Sequence, residues 1–261
     1  MTREEAIMLR SERLVFRFGK HSLSVPMEYF FIPYATFIAG EYDFLDVGPD
    51  DIVIDAGANI GDFTIKAAAT AKLVIAIEPN PESLKLLKSN IESLRNVVVV
   101  ERALGNRSGY SKLSGHGVTA SLSESGETRV QVDTLDHILA EVGVIPTLMK
   151  MDIEGAEKFA ISQQSCLSSL RKVVIETHSE SDWLTCVSVL ERAGFNYRMV
   201  LRHDIVKRTV KNILKRPISF FTYELSTKFY ALRSALSFII NRKTSIPSCD
   251  SDAVKLLEAH K

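Results

Sequence analysis

Short apolar segments alternate with helical patterns through the middle of the chain, and this alternation restricts the possible folds most strongly. Apolar runs at residues 52–54, 73–77, 97–100, 147–151 and 172–175 predict strands that are buried on both faces. Helices are predicted at residues 60–71, 81–94, 135–142, 156–162 and 183–193. The expected fold is therefore α/β, with a doubly wound, mostly parallel sheet.

Composition and charge set few further limits on this 261-residue chain. Lys and Arg number 32 and so do Asp and Glu, so the net charge is zero and gives no global indication of nucleic-acid binding. The three cysteines have unrelated spacings, which favours a reducing compartment over a disulfide framework or a zinc pattern. A signal peptide and a membrane span are not expected, and the predicted location is the cytoplasm.

Three segments are expected from the pattern. Residues 1–46 form an N-terminal cap that shapes the substrate site, and they include a hairpin predicted from residues 14–18 and 22–25. Residues 47–202 form the core, in which the Ser-, Gly- and Thr-rich stretch 105–129 is expected to be a mobile loop and a candidate lid. Residues 203–261 complete the sheet and end in a helix at 253–260.

Chemistry is expected after the strands, because ligands of doubly wound sheets bind beyond their carboxyl ends. After the first strand, Asp55 is followed by a loop in which Gly57, Asn59 and Gly61 alternate. Glycine allows a ligand close approach, and the next helix directs free N–H groups into the same space. Asn59 departs from the dinucleotide fingerprint, so the alternatives are a site for a carboxylate or ribose and a plain turn.

The second strand ends at Glu78, Pro79 and Asn80. Glu78 lies 21 residues after Gly57, a spacing at which an acid accepts hydrogen bonds from a ribose diol. The alternative is a surface glutamate that opens a helix.

Candidate catalytic groups follow the fourth and fifth strands. Lys150, Asp152 and Glu154 alternate, so in an extended segment they share one face, although one of the acids is also expected to cap the next helix. His178 follows the fifth strand as a candidate base, metal ligand or substrate donor.

Six strings in order resemble the FkbM family of S-adenosylmethionine-dependent methyltransferases. They are DAGANIG at 55–61, EPNP at 78–81, RALGN at 102–106, VDTLD at 132–136, KMDIEGAE at 150–157 and VIETH at 174–178. The resemblance implies a seven-stranded Rossmann-like class I methyltransferase sheet, with S-adenosylmethionine as cofactor and O-methylation of a sugar, glycolipid or secondary metabolite as the chemistry.

The same resemblance implies roles for single residues. Asp55, Gly57 and Gly61 would hold the methionine part of the cofactor, Glu78 the ribose, and Asn80 and Ala103 would lie near the adenine, with Asn59 and Pro79 completing the cofactor loops. Asp152 would face both the amino end of the cofactor and the substrate, and Glu154 and His178 would line the acceptor pocket.

Methyl transfer from a sulfonium needs an acceptor oxygen held in line and a base for its proton. Asp152, Glu154 and His178 are the candidate bases, and Lys150 is a further candidate catalytic residue. No metal ligand set is predicted, although Asp152 and Glu154 leave room for Mg²⁺ with water ligands.

The end of the chain is basic. Between residues 198 and 243, eleven Lys and Arg face only Asp204 and Glu224. Strands at 218–225 and a helix at 228–241 are expected there; a membrane-surface or lipid-linked contact and a nucleic acid are the alternatives. The expected partner is a small-molecule or glycan acceptor, with no nucleic acid. The competing functions are a cofactor-binding protein without transferase activity and an RNA methyltransferase.

Overall fold

The computed structural model describes residues 13–18, 21–115, 121–123, 125–162, 165–215 and 255–261. Contacts between Cα atoms divide the chain into two units, Tyr42–Val200 with Ser251–Lys261, and Met1–Glu41 with Leu201–Asp250. The cap role of the N-terminal segment and the other expected boundaries remain predictions. Within the described part of the chain, none of the helices combines the length and apolarity that crossing a bilayer requires.

The strands and helices carry the following bounds in chain order. The strands are β1 Arg13–Phe18, β2 His21–Pro26, β3 Ile52–Ala56, β4 Leu73–Ile77, β5 Val97–Val100, β6 Ala103–Leu104, β7 Gly109–Ser114, β8 Ser121–Leu122, β9 Thr128–Asp133, β10 Leu148–Met151, β11 Lys172–Thr177, β12 Asn196–Met199 and β13 Lys255–His260. The α-helices are α1 Phe31–Pro33, α2 Asp62–Ala68, α3 Pro81–Asn90, α4 Leu135–Val142, α5 Glu157–Ile161, α6 Glu180–Arg192 and α7 Arg202–Lys215.

A seven-stranded sheet with the order β12-β13-β11-β10-β3-β4-β5 forms the centre of the first unit. The neighbours from β11 to β5 pair in parallel, whereas β13 runs antiparallel to both β11 and β12. Central residues such as Val53, Ile54, Ile75 and Val174 have no exposed surface, as expected for strands that are covered on both faces. The predicted seven-stranded, mostly parallel sheet is confirmed.

Side chains at the helix starts explain where the predicted helices begin. Asn80 accepts a hydrogen bond from the Glu82 amide and caps α3, and Thr134 caps α4 through the His137 amide. Ser179 caps α6 through the Asp182 amide, so this helix begins at Glu180, three residues before its predicted start. Two helices are shorter than predicted. The helix predicted at 60–71 is observed as Asp62–Ala68, and the helix predicted at 81–94 begins at Pro81 as expected but ends at Asn90.

The strand order reverses between β3 and β10. The chain continues from β3 to β4 and β5 on one side, while β10 and β11 lie on the other. Asp55 is in register with Lys150, and Ala56 with Met151. The loops that follow β3 and β10 therefore leave the sheet side by side, which is where this class of fold binds ligands.

The prediction of a mobile loop at residues 105–129 is wrong for the described part of that stretch. Strands β7, β8 and β9 form a four-stranded sheet with β6, in the order β6-β9-β7-β8. Leu113 and Val130 are buried in its small core, while Tyr110 is two-thirds exposed. The outward face of this sheet is polar, so its composition resembles that of a loop although its backbone is paired.

The helix expected at residues 253–260 is also wrong, because Lys255–His260 forms strand β13. This segment lies between β11 and β12 and pairs with both of them. Leu, Glu and Ala favour a helix locally, but pairing on two edges and the burial of Leu257 and Ala259 override that preference. The elements expected at 218–225 and 228–241 lie outside the described residues.

The second unit contains the predicted hairpin and helix α7. Strands β1 and β2 pair antiparallel with Leu14 opposite Val25, which confirms the hairpin. A helical stretch of α1 and the π-helical residues Tyr34–Ala39 follows it. Asn212 of α7 donates a hydrogen bond from Nδ2 to the carbonyl of Ile38, at 3.2 Å.

Replacing Leu257 tests the strand assignment of the C-terminal segment. Leu257 has no exposed surface, so we expect Leu257→Ala to lower the free energy of unfolding by about 2–5 kcal/mol, measured by urea denaturation. Leu256 is only partly buried, and Leu256→Ala is the matched control with a clearly smaller loss. Equal losses for the two variants would contradict a strand that is inserted into the sheet.

Candidate active site

The loop after β3 approaches the loop after β10 so closely that only glycine fits at position 57. Gly57 has φ +75°, and a Cβ built on it would lie 1.7 Å from the carbonyl oxygen of Asp152. The amide of Asp152 donates to the carbonyl of Ala56 at 3.0 Å, which fixes the second loop beside the first. Glycine is needed at position 61 for a different reason, because a Cβ there would lie 2.7 Å from Cδ1 of Leu87 on helix α3.

Glu78 is held at the end of β4 by backbone amides. Its Oε2 accepts from the amide of Asn59 and its Oε1 from the amide of Asn80, both at 2.8 Å. Burial raises the pKa of the Glu78 carboxyl to about 7, although these two amide bonds oppose the rise. The side chain of Asn59 accepts from Ser83, so Glu78 is part of a rigid polar loop pair.

A cleft opens at the strand ends, with about 620 Å³ of non-atom space that includes open solvent. Its lining combines the two loops with one wall from the small sheet. It is lined by Gly57, Asn59, Ile77, Glu78, Pro79, Ser83, Arg102, Ala103, Leu104, Leu113, Ser121, Leu122, Asp152, Ile153, Glu154 and Ala156.

Asp55 and Lys150 lie beneath this cleft and are not part of its lining. Asp55 is fully buried; its Oδ2 accepts from Thr64 at 2.5 Å and its Oδ1 lies 3.3 Å from Nζ of Lys150. Lys150 also donates to the carbonyl of Gly57 at 2.7 Å. Burial opposes its charge, but the carboxylates of Asp55 and Asp152 outweigh burial and raise the pKa of Lys150. Lys150 therefore stays charged and fixes the glycine loop.

Four ionisable side chains meet after β10 and β11. Nε2 of His178 lies 3.6 Å from Oδ1 of Asp152 and 3.5 Å from Oε2 of Glu154, and its Nδ1 lies 3.0 Å from Oε1 of Glu157. Glu157 is fully buried, and the same oxygen accepts from the amides of Ile153 and Gly155. Glu157 thus orients both the loop and the imidazole.

This arrangement differs from the expected extended segment. Glu154 has φ +57°, a left-handed conformation, so it does not continue the face of Lys150 and Asp152. Neither acid caps the next helix, because α5 has Ala156 at its N-cap without a side-chain cap. Lys150 pairs with Asp55, whereas Asp152 and Glu154 meet His178.

Burial and charge shift the pKa values of this group. Burial, followed by the nearby charge of Asp152, raises the pKa of Glu154 to about 7. Burial opposes the charge of His178, but Glu157, Asp152 and Glu154 outweigh it and raise the pKa of His178 to about 10. At neutral pH the imidazole is therefore a cation that balances the acids, and Glu154 is the group that titrates.

The same side chains have the donors for a metal ion. One atom each from Asp152, Glu154 and His178 lies within 4.8 Å of the others. A divalent cation bound there would replace the proton on Nε2, while Glu157 keeps the proton on Nδ1.

Several residues of the site were not predicted from the sequence. Tyr42 donates from its hydroxyl to Asp152 at 3.1 Å or Glu176 at 3.2 Å, and Ser121 and Leu122 form part of the cleft wall. Glu157 lies inside the string KMDIEGAE, and Ser121 and Leu122 lie inside the stretch 105–129 that was expected to be a candidate lid, whereas nothing in the sequence marks Tyr42. Among the predicted residues, Asn80 caps α3 and does not line the cleft.

A model of the Methyltransferase FkbM domain matches residues 55–197, more than half of the chain. The chain belongs to the FkbM methyltransferase family. Methyl transfer is accordingly its reaction, and S-adenosylmethionine is its cofactor.

Two proteins of other organisms are similar in sequence to this FkbM methyltransferase. Methyltransferase 1 of Beauveria bassiana is 28% identical over 204 residues, which cover 65% of this chain and 82% of that protein. The AMB antimetabolite synthetase AmbE of Pseudomonas aeruginosa is 26% identical over 202 residues, covering 56% of this chain but 10% of the synthetase.

Solved structures are also similar to this chain. The FkbM methyltransferase of Methylobacillus flagellatus is 20% identical with a TM-score of 0.48, covering 66% of this chain and 46% of that one, so this chain spans less than half of its length. Two ribosomal RNA methyltransferases are also among the similar structures. The expected absence of a nucleic-acid partner stays a prediction.

Exchange of Gly57 tests the close approach of the two loops. We expect Gly57→Ala to abolish binding of S-adenosylmethionine in calorimetric titration and to destabilise the fold by more than Gly143→Ala, because its methyl group meets the Asp152 carbonyl. Gly143 is the matched control, since its φ is +74° and the space around it is open, so its exchange costs only the left-handed strain of about 1–2 kcal/mol. Similar behaviour of the two variants would contradict the loop contact.

The charge on His178 can be measured directly. We expect NMR titration to give His178 a pKa of about 10, and Glu157→Gln to lower it by removing the charge bonded to Nδ1. Since the folded pKa exceeds the ordinary 6.5, the stabilisation from this proton is complete below about pH 6.5 and is lost as the pH rises through 10. Glu191→Gln, on the exposed face of α6, is the control. An ordinary His178 pKa in the native protein would refute the arrangement.

Proposed function

We propose that this FkbM methyltransferase transfers the methyl group of S-adenosylmethionine to a hydroxyl of a sugar, glycolipid or secondary metabolite, with Glu154 as the general base. The observation that carries the proposal is that Glu154 lines the cleft and has a pKa of about 7, close to the pH at which a base is most effective.

The residues of the cleft fit the cofactor chemically. A carboxylate offers about four acceptor positions, and the two amide bonds of Glu78 leave others for a ribose diol. Gly57 is partly exposed and lines the cleft, and Oδ1 of Asp152 is buried without a hydrogen-bond partner among the described groups. In our proposal Glu78 binds the ribose of the cofactor. The loop from Gly57 to Asn59 binds its methionine part, and Asp152 binds its amino group.

Pro79 and Ala103 line the cleft and complete the proposed contacts, on the adenine side. Three further residues support the loops. Asp55 pairs with Lys150, Gly61 packs on Leu87, and Asn80 caps α3. In our proposal they shape the site, and the direct contact with the cofactor that the family resemblance implies stays a prediction.

When it is bound, S-adenosylmethionine supplies a methyl group that is already activated on a sulfonium. The protein must therefore orient the acceptor and accept one proton. Glu154 takes that proton from the hydroxyl as the ether forms, and it is deprotonated for this role above its pKa of about 7. His178 remains protonated and limits the repulsion between Asp152 and Glu154, and Lys150 positions the glycine loop and transfers no proton.

Loss of the base should reduce turnover and spare the cofactor. We expect Glu154→Gln to lower kcat by about 10²–10⁴-fold, while calorimetric titration shows unchanged binding of S-adenosylmethionine. In the wild type kcat should fall as the pH drops below about 7, because Glu154 becomes protonated. Glu101→Gln, an exposed acid that pairs with Lys88, is the control and should change neither quantity.

Labelled cofactor and a panel of polyols, glycans, phenols and RNA serve as the assay. Transfer to RNA alone would refute the proposed acceptor class. Cofactor binding without transfer to any of them would favour the competing function of a binding protein, and a Glu154→Gln variant with full activity would remove Glu154 as the base.

A further inference from the structure

Helix α7 of the second unit has one face that is packed and one that is not. Ile205 is buried, and Asn212, on the same side, donates to the carbonyl of Ile38. This side of the helix lies against the π-helical residues Tyr34–Ala39, so it is fixed within the unit.

Three aliphatic side chains form a row on the other side of α7. Val206 and Val210 are 51% exposed and Leu214 is 74% exposed. Their spacing of four residues puts them next to one another along the helix. We call Val206, Val210 and Leu214 the apolar stripe.

Cations border the apolar stripe. Lys207 and Lys211 are exposed and follow the two valines by one residue each, which places them along one side of the stripe at 100° per residue. Arg202 is exposed at the start of the helix. The whole helix carries five Lys and Arg against Asp204 alone, a net charge of +4.

We propose that the apolar stripe and its bordering lysines dock this protein on the surface of an anionic phospholipid membrane. An interfacial helix places its apolar side chains at the boundary of the acyl chains, while its lysines reach the phosphates of the headgroups. The exposed apolar stripe matches the acyl-chain layer of such a membrane, and the positive charges beside it match the layer of anionic headgroups.

Other occupants use only part of this surface. A nucleic acid would pair with the lysines but gains little from three exposed aliphatic side chains. A second copy would cover the stripe but would bring +4 against +4. The sequence beyond the helix continues the pattern, since residues 216–243 contain five Lys and Arg, one acid and several aromatic residues.

Vesicle flotation of the full chain tests this proposal without reference to methyl transfer. We expect the protein to float with vesicles of phosphatidylcholine and phosphatidylglycerol and to remain behind with phosphatidylcholine alone. Each lysine contributes about 1 kcal/mol near an anionic surface, so Lys207→Gln with Lys211→Gln should weaken binding about 25-fold. The triple exchange of Val206, Val210 and Leu214 to Ser should weaken it at least about tenfold.

Matched exposed aliphatics provide the control. Ile145 and Leu184 are 73% and 59% exposed in the other unit, and their exchange to Ser should leave flotation unchanged. Thermal unfolding of each variant, and cofactor binding as in the wild type, show that the fold is intact.

Three results would overturn the proposal. One is the absence of flotation with anionic vesicles, which is also the result expected if another segment of the chain or an acidic protein covers the apolar stripe. A second is RNA binding that depends on the two lysines and not on the stripe, without flotation. The third is a dimer in solution that the Ser exchanges dissociate, again without flotation. Failure of methyl transfer with intact flotation would bear only on the proposed function.

Discussion

The site depends on the backbone contact between two neighbouring strand ends, where Gly57 lies against the carbonyl of Asp152. No side chain fits between these loops, and the buried Lys150 joins them by pairing with Asp55 and donating to the Gly57 carbonyl. The Asp55–Lys150 pair is deeply buried, so removal of either partner leaves a buried charge that has lost its nearest counter-charge. The cleft, the position of Glu78 and the reach of Asp152 all follow from this one junction at the reversal of strand order.

The acids above this junction are kept together by one imidazolium. Asp152, Glu154 and Glu157 all lie within 3.6 Å of a ring nitrogen of His178, and Glu157 is fully buried. The three carboxylates raise the pKa of His178, and burial with the charge of Asp152 raises the pKa of Glu154. Because the two shifts have different causes, one group stays protonated near neutral pH while the other can exchange a proton. This division of roles is what makes Glu154 the base in our proposal.

The sequence was sufficient where local signals and burial agree. The strands 73–77 and 97–100 and the helix 135–142 have the bounds that their apolar patterns predicted, and the residues at the strand ends were identified because the fold class says where ligands bind. The prediction was wrong where tertiary pairing decides the structure. Strand β13 is built from residues with helical preference, and the small sheet from β6 to β9 has a polar face that resembles a loop. Contacts such as Tyr42 with Asp152 join residues 110 positions apart, and no local pattern encodes them.

In our proposal the junction of these loops holds S-adenosylmethionine through Glu78. A crystal structure of the protein with S-adenosylhomocysteine tests it most directly. We expect both ribose hydroxyls within hydrogen-bond distance of the Glu78 carboxylate and the amino acid part beside Gly57 and Asp152. Density for the nucleoside elsewhere on the protein, or a Glu78 that still contacts only its two backbone amides beside a bound ligand, would contradict it.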